Sequence, residues 1–113
     1  MVKIILLLYR RPDLNADAFR RYWHEQHRPL LERLPGLQRL VLNDVVPVPG
    51  GAPSACDGIS EDWFESAEAM QVAFASTEGR AVAADAANFL DLTRMPMLVV
   101  DEHEVPLQTV VAS

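Results

Sequence analysis

The sequence predicts an α+β domain with elements in the order β-α-β-β-α-β. Three observations carry this. A short, continuous apolar run opens the chain at residues 2–9. A helical stripe of apolar and aromatic positions follows between Phe19 and Leu34. Two strand patterns, a pair of serine-started helical pieces and a last apolar run come after, in that order. This order suits the split βαβ, or ferredoxin-like, arrangement, a four-stranded antiparallel sheet with helices on one face. At 113 residues the chain makes one domain, residues 1–113.

The first strand, Val2 to Tyr9, is bounded by charge and reads as covered on both faces. It is too short to span a bilayer, which needs about 20 apolar residues. Arg10-Arg11-Pro12-Asp13 follows it with no small-residue cleavage site. A cytoplasmic protein without a membrane partner is therefore expected, and a lone thiol, Cys56, fits that compartment. Pro12, Asp13 and Asn15 give a turn and a helix start, with Asn15 as N-cap and Asp17 in the positive first turn.

Positions 19, 22, 23, 27, 30, 31 and 34 then share one helical stripe, and Asp17, Arg21, Glu25, Arg28 and Glu32 occupy the opposite face. Pro29 removes an amide donor inside this pattern and should kink the helix, which Pro35-Gly36 ends. A second strand is expected from Leu37 to Val46, and then a loop of about a dozen residues. Ile59 to Glu65 make the third strand. Ser66 caps a helix over residues 67–75, and Ser76 starts an alanine-rich piece reaching Asp91. Met97 to Val105 form the fourth strand, stopped by Pro106, and an apolar tail, Leu107 to Val111, follows.

Half of the residues are apolar and the net charge is −6, from 10 basic and 16 acidic groups. Disorder is excluded, and so is a general nucleic-acid partner, which needs clustered Lys and Arg. One cysteine excludes an internal disulfide framework and any four-cysteine metal centre. Residues 1–40 carry 8 basic and 4 acidic groups and residues 41–113 carry 2 and 12, so the two halves suit mutual pairing.

Strand 1 lacks the polar alternation of a sheet with one wet face. Val2, Ile4, Leu6 and Leu8 fall on one side, and Ile5, Leu7 and Tyr9 on the other. Each such side chain is worth roughly 1.5–3 kcal/mol when buried. Two sheets packed face to face in a homodimer would bury the second side, with the apolar tail reaching toward the partner.

The segment Phe19-Arg-Arg-Tyr22-Trp23-His24-Glu-Gln-His27-Arg-Pro29-Leu30 resembles the signature helix of the EthD family. Pro35-Gly36-Leu37, Asp57-Gly58-Ile59, Trp63-Phe64-Glu65-Ser66, Ser76 to Gly79 and Asp85 to Phe89 follow that family's order, so the likeness spans residues 3–104. The resemblance implies a dimeric α+β barrel. The family is named after a protein required in bacterial degradation of ethyl tert-butyl ether. Its wider superfamily holds cofactor-free monooxygenases, isomerases, polyketide cyclases and dehydratases. The chain departs from many members at Asp62, where they carry an apolar residue, which makes the implied pocket more polar here.

His27 is the candidate catalytic residue. It lies on the apolar stripe beside Trp23, Leu30 and Leu31 and points toward the sheet. An imidazole with an ordinary pKa of roughly 6.5 gives or takes a proton near neutrality. The family likeness places its characteristic helix-1 histidine here. The competing reading is a core histidine satisfied by a backbone carbonyl or a nearby acid. Tyr9, Tyr22, Trp23, Asp62, Trp63 and Asp85 are the candidate substrate-binding residues, against simple core packing for the aromatics and a solvated strand face for Asp62. Asp62 or Asp44 would orient the imidazole if either faced it.

His24-Glu25-Gln26-His27 is one residue short of a zincin HExxH motif, and with His103 the weaker reading is a metal site. No metal and no cofactor is expected. Cys56 has no basic neighbour in sequence and reads as unreactive. The favoured function is cofactor-free acid/base chemistry on a small hydrophobic carbonyl or phenolic ligand. The alternatives are a monooxygenase or an accessory of an oxidoreductase pathway, and a non-catalytic ligand-binding dimer.

Overall fold

The computed structural model describes residues 1–109. Its strands are β1 (Val2–Leu8), β2 (Leu37–Asp44), β3 (Gly58–Phe64) and β4 (Met97–Val100), in the spatial order β2-β3-β1-β4. All three pairings are antiparallel: β1 with β3 from Val2↔Phe64 to Leu8↔Gly58, β1 with β4, and β2 with β3, which carries a bulge between Leu37 and Arg39. This is the expected βαββαβ ferredoxin-like sheet.

The helices are α1 (Ala16–Tyr22), α2 (Arg28–Leu31), α3 (Ala67–Ala75) and α4 (Thr77–Ala86). Asn15 Oδ1 accepts from the Ala18 amide at 2.8 Å, and Ser66 Oγ from the Ala69 amide at 3.1 Å, as their N-cap positions require. Ser76 ends α3 and caps α4, its Oγ accepting from the Gly79 amide at 3.1 Å. A side chain at Gly79 would collide with the Ala73 and Phe74 carbonyls, so a glycine lets the second helix start against the end of the first.

The helix kink expected at Pro29 takes a specific form. Between α1 and α2 the chain makes one π turn, Trp23–His27, and the Arg28 amide donates to the Trp23 carbonyl five residues back. Pro29 has no amide to donate, and its ring crowds the carbonyl four residues earlier; widening the preceding turn accommodates both effects. The buried stripe still runs Phe19, Trp23, His27, Leu31, Leu34, while Asp17, Arg21, Glu25, Arg28 and Glu32 are exposed.

Two departures concern the C-terminal half. The piece after Ser76 ends at Ala86 and not at Asp91, because residues 87–90 turn to bring Phe89 and Leu90 inward and Leu90 bridges to Arg10. Strand β4 is four residues long; residues 101–109 form no strand and are exposed, Leu107 almost fully. The pairing partner of β4 is the first half of β1, and Lys3↔Val100 is the last paired position. The far end of the apolar tail, Val110 and Val111, lies outside the described residues.

The core forms two clusters on the helix side of the sheet. One gathers Ile4, Leu31, Leu34, Phe64, Ala73 and Val82; the other gathers Leu8, Phe19, Trp23, Ala86, Phe89 and Leu90. The opposite face is mixed. Ile5, Leu7, Val41, Ile59 and Leu98 project there by strand alternation. Beside them Lys3 bonds Glu61 at 2.7 Å and Glu102 at 2.8 Å, Asn43 donates to Glu61, and Lys3 and Arg39 lie over the Trp63 ring. Lys3–Glu61, Lys3–Glu102 and Arg10–Asp57 each join the basic first part of the chain to the acidic remainder.

Gly58 opens β3 beneath the Trp23 indole: a Cβ there would sit 2.6 Å from ring carbon Cζ3. Gly58→Ala should therefore lower stability by about 1–3 kcal/mol, the cost of overpacking a filled core. Urea unfolding followed by Trp fluorescence checks this, and an unchanged midpoint would contradict it.

Candidate functional site

The π turn and α4 meet at one carboxylate. His27 Nδ1 lies 2.8 Å from Asp85 Oδ2, and Tyr22 Oη donates to Asp85 Oδ1 at 2.6 Å. Asn88 Nδ2 donates to the same Oδ1 at 3.1 Å. His27 is only 5% exposed and its ring packs on Phe89, with centroids 4.7 Å apart. Facing a carboxylate, Nδ1 carries the proton, so Nε2 bears the lone pair. Among the described residues Nε2 has no hydrogen-bond partner.

Burial pushes the His27 pKa below its ordinary value, against the opposing pull of Asp85, so the imidazole is neutral at neutral pH. Burial alone would raise Asp85. The hydrogen bonds from Tyr22, His27 and Asn88 outweigh it and hold the carboxyl below the usual range. The Tyr22 phenol is raised because it donates to that carboxylate and is partly buried.

His27 lines a cavity of about 170 Å³ between the helices and the sheet. Its wall comes from both core clusters, with Leu8, Trp23 and Leu90 on one side and Leu31 and Val82 on the other. The cavity is therefore the seam between them. Met95 and Met97, both exposed, stand at its mouth. Besides His27 and the Trp23 indole, Ser60 and Asp62 contribute polar side chains to the lining. Asp62 is fully buried: Oδ1 accepts from Ser60 Oγ at 2.9 Å, while Oδ2 has no partner among the described residues. Burial pushes its pKa up to about 6, although the Ser60 bond opposes this. Trp23 Nε1 is likewise buried without a partner among those residues.

Of the residues singled out in the sequence, the structure brings together His27, Tyr22, Trp23, Asp62 and Asp85. It does not bring Tyr9 or Trp63 to them. Trp63 neighbours Asp62 on β3 and so faces the other side of the sheet, where its Nε1 donates to Glu102. Tyr9 lines a separate, wide-open basin of about 400 Å³ under the Arg94 guanidinium. The arginines of that basin are matched by acids, Arg10 with Asp57 at 3.3 Å and Arg94 with Asp91 at 3.6 Å.

Asp44 bonds His24 Nε2 at 2.9 Å and stands away from His27. The His24–His27–His103 metal reading has no geometric support: no group of three or more potential metal ligands occurs among the described residues. Cys56 is buried and its thiol pKa is raised by burial. The residues that sequence reasoning missed are Asn88, Ser60 and Phe89. Strand parity pointed to Ser60, which shares the Asp62 face.

Comparison with known proteins agrees with this fold. The EthD domain family matches residues 11–93, and the chain belongs to that family. An uncharacterised 11.0 kDa protein from the thcB-thcC intergenic region of Rhodococcus erythropolis is 33% identical over 101 residues, covering 89% of this chain and 95% of that one. The crystal structure of an ethyl tert-butyl ether D family protein from Bacillus halodurans matches with TM-score 0.76 and 26% identity, over 91% of this chain and all of the other. SnoaB, a cofactor-independent oxygenase from Streptomyces nogalater, shares the fold at TM-score 0.64 and 10% identity, over 92% of this chain and 94% of its own. No helix among the described residues is long and apolar enough to cross a membrane.

Two predictions follow the two carboxylates. Replacing Asp85 by Asn removes the negative charge that favours protonated His27, so the His27 pKa should fall further. A ¹⁵N titration of the imidazole reads this directly, and a rise would contradict the assignment.

Folded Asp62 holds a proton up to about pH 6, whereas an ordinary aspartate loses it near 3.8. Between those values the folded protein binds the extra proton, so its stability declines as pH rises, and the loss is complete above the folded pKa. Asp62→Asn should escape that loss and be more stable than the parent by up to about 3 kcal/mol at pH 8. At pH 3.5 the two should be equal. Unfolding curves at both pH values decide it.

Proposed function

We propose that this EthD-domain protein binds a small hydrophobic carbonyl or phenolic compound in the helix–sheet cavity and performs acid/base chemistry on it through His27. The observation that carries the proposal is the Nδ1 bond to Asp85. It fixes the tautomer, holds the ring, and leaves Nε2 unprotonated on a residue that lines a largely apolar cavity. A general base needs that lone pair within reach of the proton it removes. Tyr22 and Asp85 act behind the imidazole as positioning residues. Trp23 and Asp62 lie where a ligand would touch them. Proton-transfer chemistry of this kind calls on no redox group.

The mixed outer face supports a homodimer as the working form. Ile5, Leu7, Val41, Ile59 and Leu98 give it an apolar half, and the Lys3–Glu61–Glu102 network gives it a polar half. A second copy stacked on this face would remove the apolar half from water. Sedimentation of the purified protein at micromolar concentration should give twice the chain mass.

The activity is tested by hydrogen–deuterium exchange at the carbon next to the carbonyl of small cyclic ketones and at the ring of phenols, followed by NMR. His27→Gln should lose on the order of a hundredfold in exchange while still binding the compound, the usual contribution of a positioned base. Oxygen consumption with the phenols would instead point to oxygenase chemistry. Full exchange by His27→Gln would end the proposal.

A further inference from the structure

A buried acid stands in the same cavity as His27, and the proposed base leaves it without a purpose. Asp62 is fully buried, yet among the described residues only one of its oxygens is satisfied, by the Ser60 hydroxyl. Buried polar atoms almost always have partners, so an orphaned carboxyl oxygen at a cavity wall calls for an explanation. Its Cβ–Cγ torsion is soft, so a modest rotation turns Oδ2 toward a bound molecule. Trp23 Nε1, buried on the same wall, is also without a partner.

We propose that Asp62 is a second catalytic residue of this cavity: it takes up a proton as the ligand enters and donates it to the carbonyl oxygen of a neutral, ring-sized, enolisable ketone whose α-proton His27 removes. This inference rests on the reading of His27 as the base. The ligand class follows from the wall. A cavity of about 170 Å³ matches one six-membered ring with a small substituent, since an apolar cavity of about 150 Å³ holds a benzene. An anionic ligand would meet the Asp62 carboxyl in a dry, apolar space, and a cationic one would lose its hydration there. A ketone needs one donor and no charge.

The proton balance closes without another reactant. His27 Nε2 takes the α-proton, and the C–H pair becomes the C=C bond of the enol. The carbonyl π pair moves to oxygen, which takes the Asp62 proton. The products are enol, imidazolium and carboxylate. The imidazolium then returns its proton to the α-carbon or to a conjugated carbon, and the enol hydroxyl proton goes back to Asp62. The net result is exchange of the α-hydrogen or a shift of a double bond. Burial already favours the protonated form of Asp62, and a ligand that expels water favours it more. The neutral imidazole and the neutral acid therefore coexist in the liganded site.

Cyclohexanone is the probe. Calorimetry at pH 7 in buffers of different ionisation enthalpy counts protons taken up on binding, and NMR in deuterium oxide follows α-exchange as a function of pH. The wild-type protein should take up close to one proton per ketone, and its exchange rate should fall as pH rises above 7. Asp62→Asn, which is isosteric and keeps the Ser60 bond, should lose the proton uptake, lose that pH dependence and slow exchange on the order of a hundredfold. Asp62→Ala should do the same and also lose the shift of the bound ketone's carbonyl ¹³C resonance. His27→Gln should lose exchange but keep the proton uptake.

Wild-type uptake and pH profile in Asp62→Asn would overturn the proposal while leaving His27 as the base. Full exchange in His27→Gln would sink the His27 reading and this one with it. Preferential binding of cyclohexylamine, or no binding of cyclohexanone at all, would overturn the ligand class and the proposal together.

Discussion

One carboxylate holds the site together. Asp85 receives His27, Tyr22 and Asn88 at once, and through them it ties the irregular first helix to α4. Without that charge the imidazole would be a buried polar group free to choose its tautomer, and the Tyr22 hydroxyl would lose its acceptor. A buried polar group that is fully paired adds rigidity, whereas a half-paired one costs free energy. The residue this bond holds, His27, lines the cavity along the seam of the two core clusters.

The two aspartates of the region show how surroundings decide chemistry. Asp85 has three donors around it, so its charged form wins despite partial burial. Asp62 has one donor and full burial, so its neutral form gains ground. Groups of the same type with opposite shifts mark the places where proton donors and acceptors are set apart. The identity of the side chain says little here; the depth of burial set against the count of hydrogen bonds decides.

Much of this was legible in the amino-acid string. The apolar opening run, the stripe from Phe19 to Leu34 and the caps Asn15, Ser66 and Ser76 gave the element order, and the EthD-like motifs marked His27. Local signals fail where the determinant is distant. His27 and Asp85 are 58 positions apart, and nothing in periodicity pairs them. β4 ends at Val100, short of the Val105 its sequence suggests, because residues 101–105 run past Val2, the first residue of β1, and have almost no strand left to pair with. Trp63 and Asp62 are neighbours in β3 and so face opposite sides of the sheet, which keeps Trp63 out of the site. Proline chemistry foretold an irregularity at Pro29 but not that it would widen the turn containing both Trp23 and His27.

That widened turn has a consequence for how the protein can change. A π turn amounts to one residue inserted into an α-helix, rotating everything after it by about a quarter of a revolution relative to everything before it. The bearing of the imidazole is thus set by a packing fault that Pro29 keeps in place. A regular helix through this segment would give the imidazole a different bearing relative to Asp85. One short irregular turn thereby aims two buried rings, Trp23 and His27, into the core.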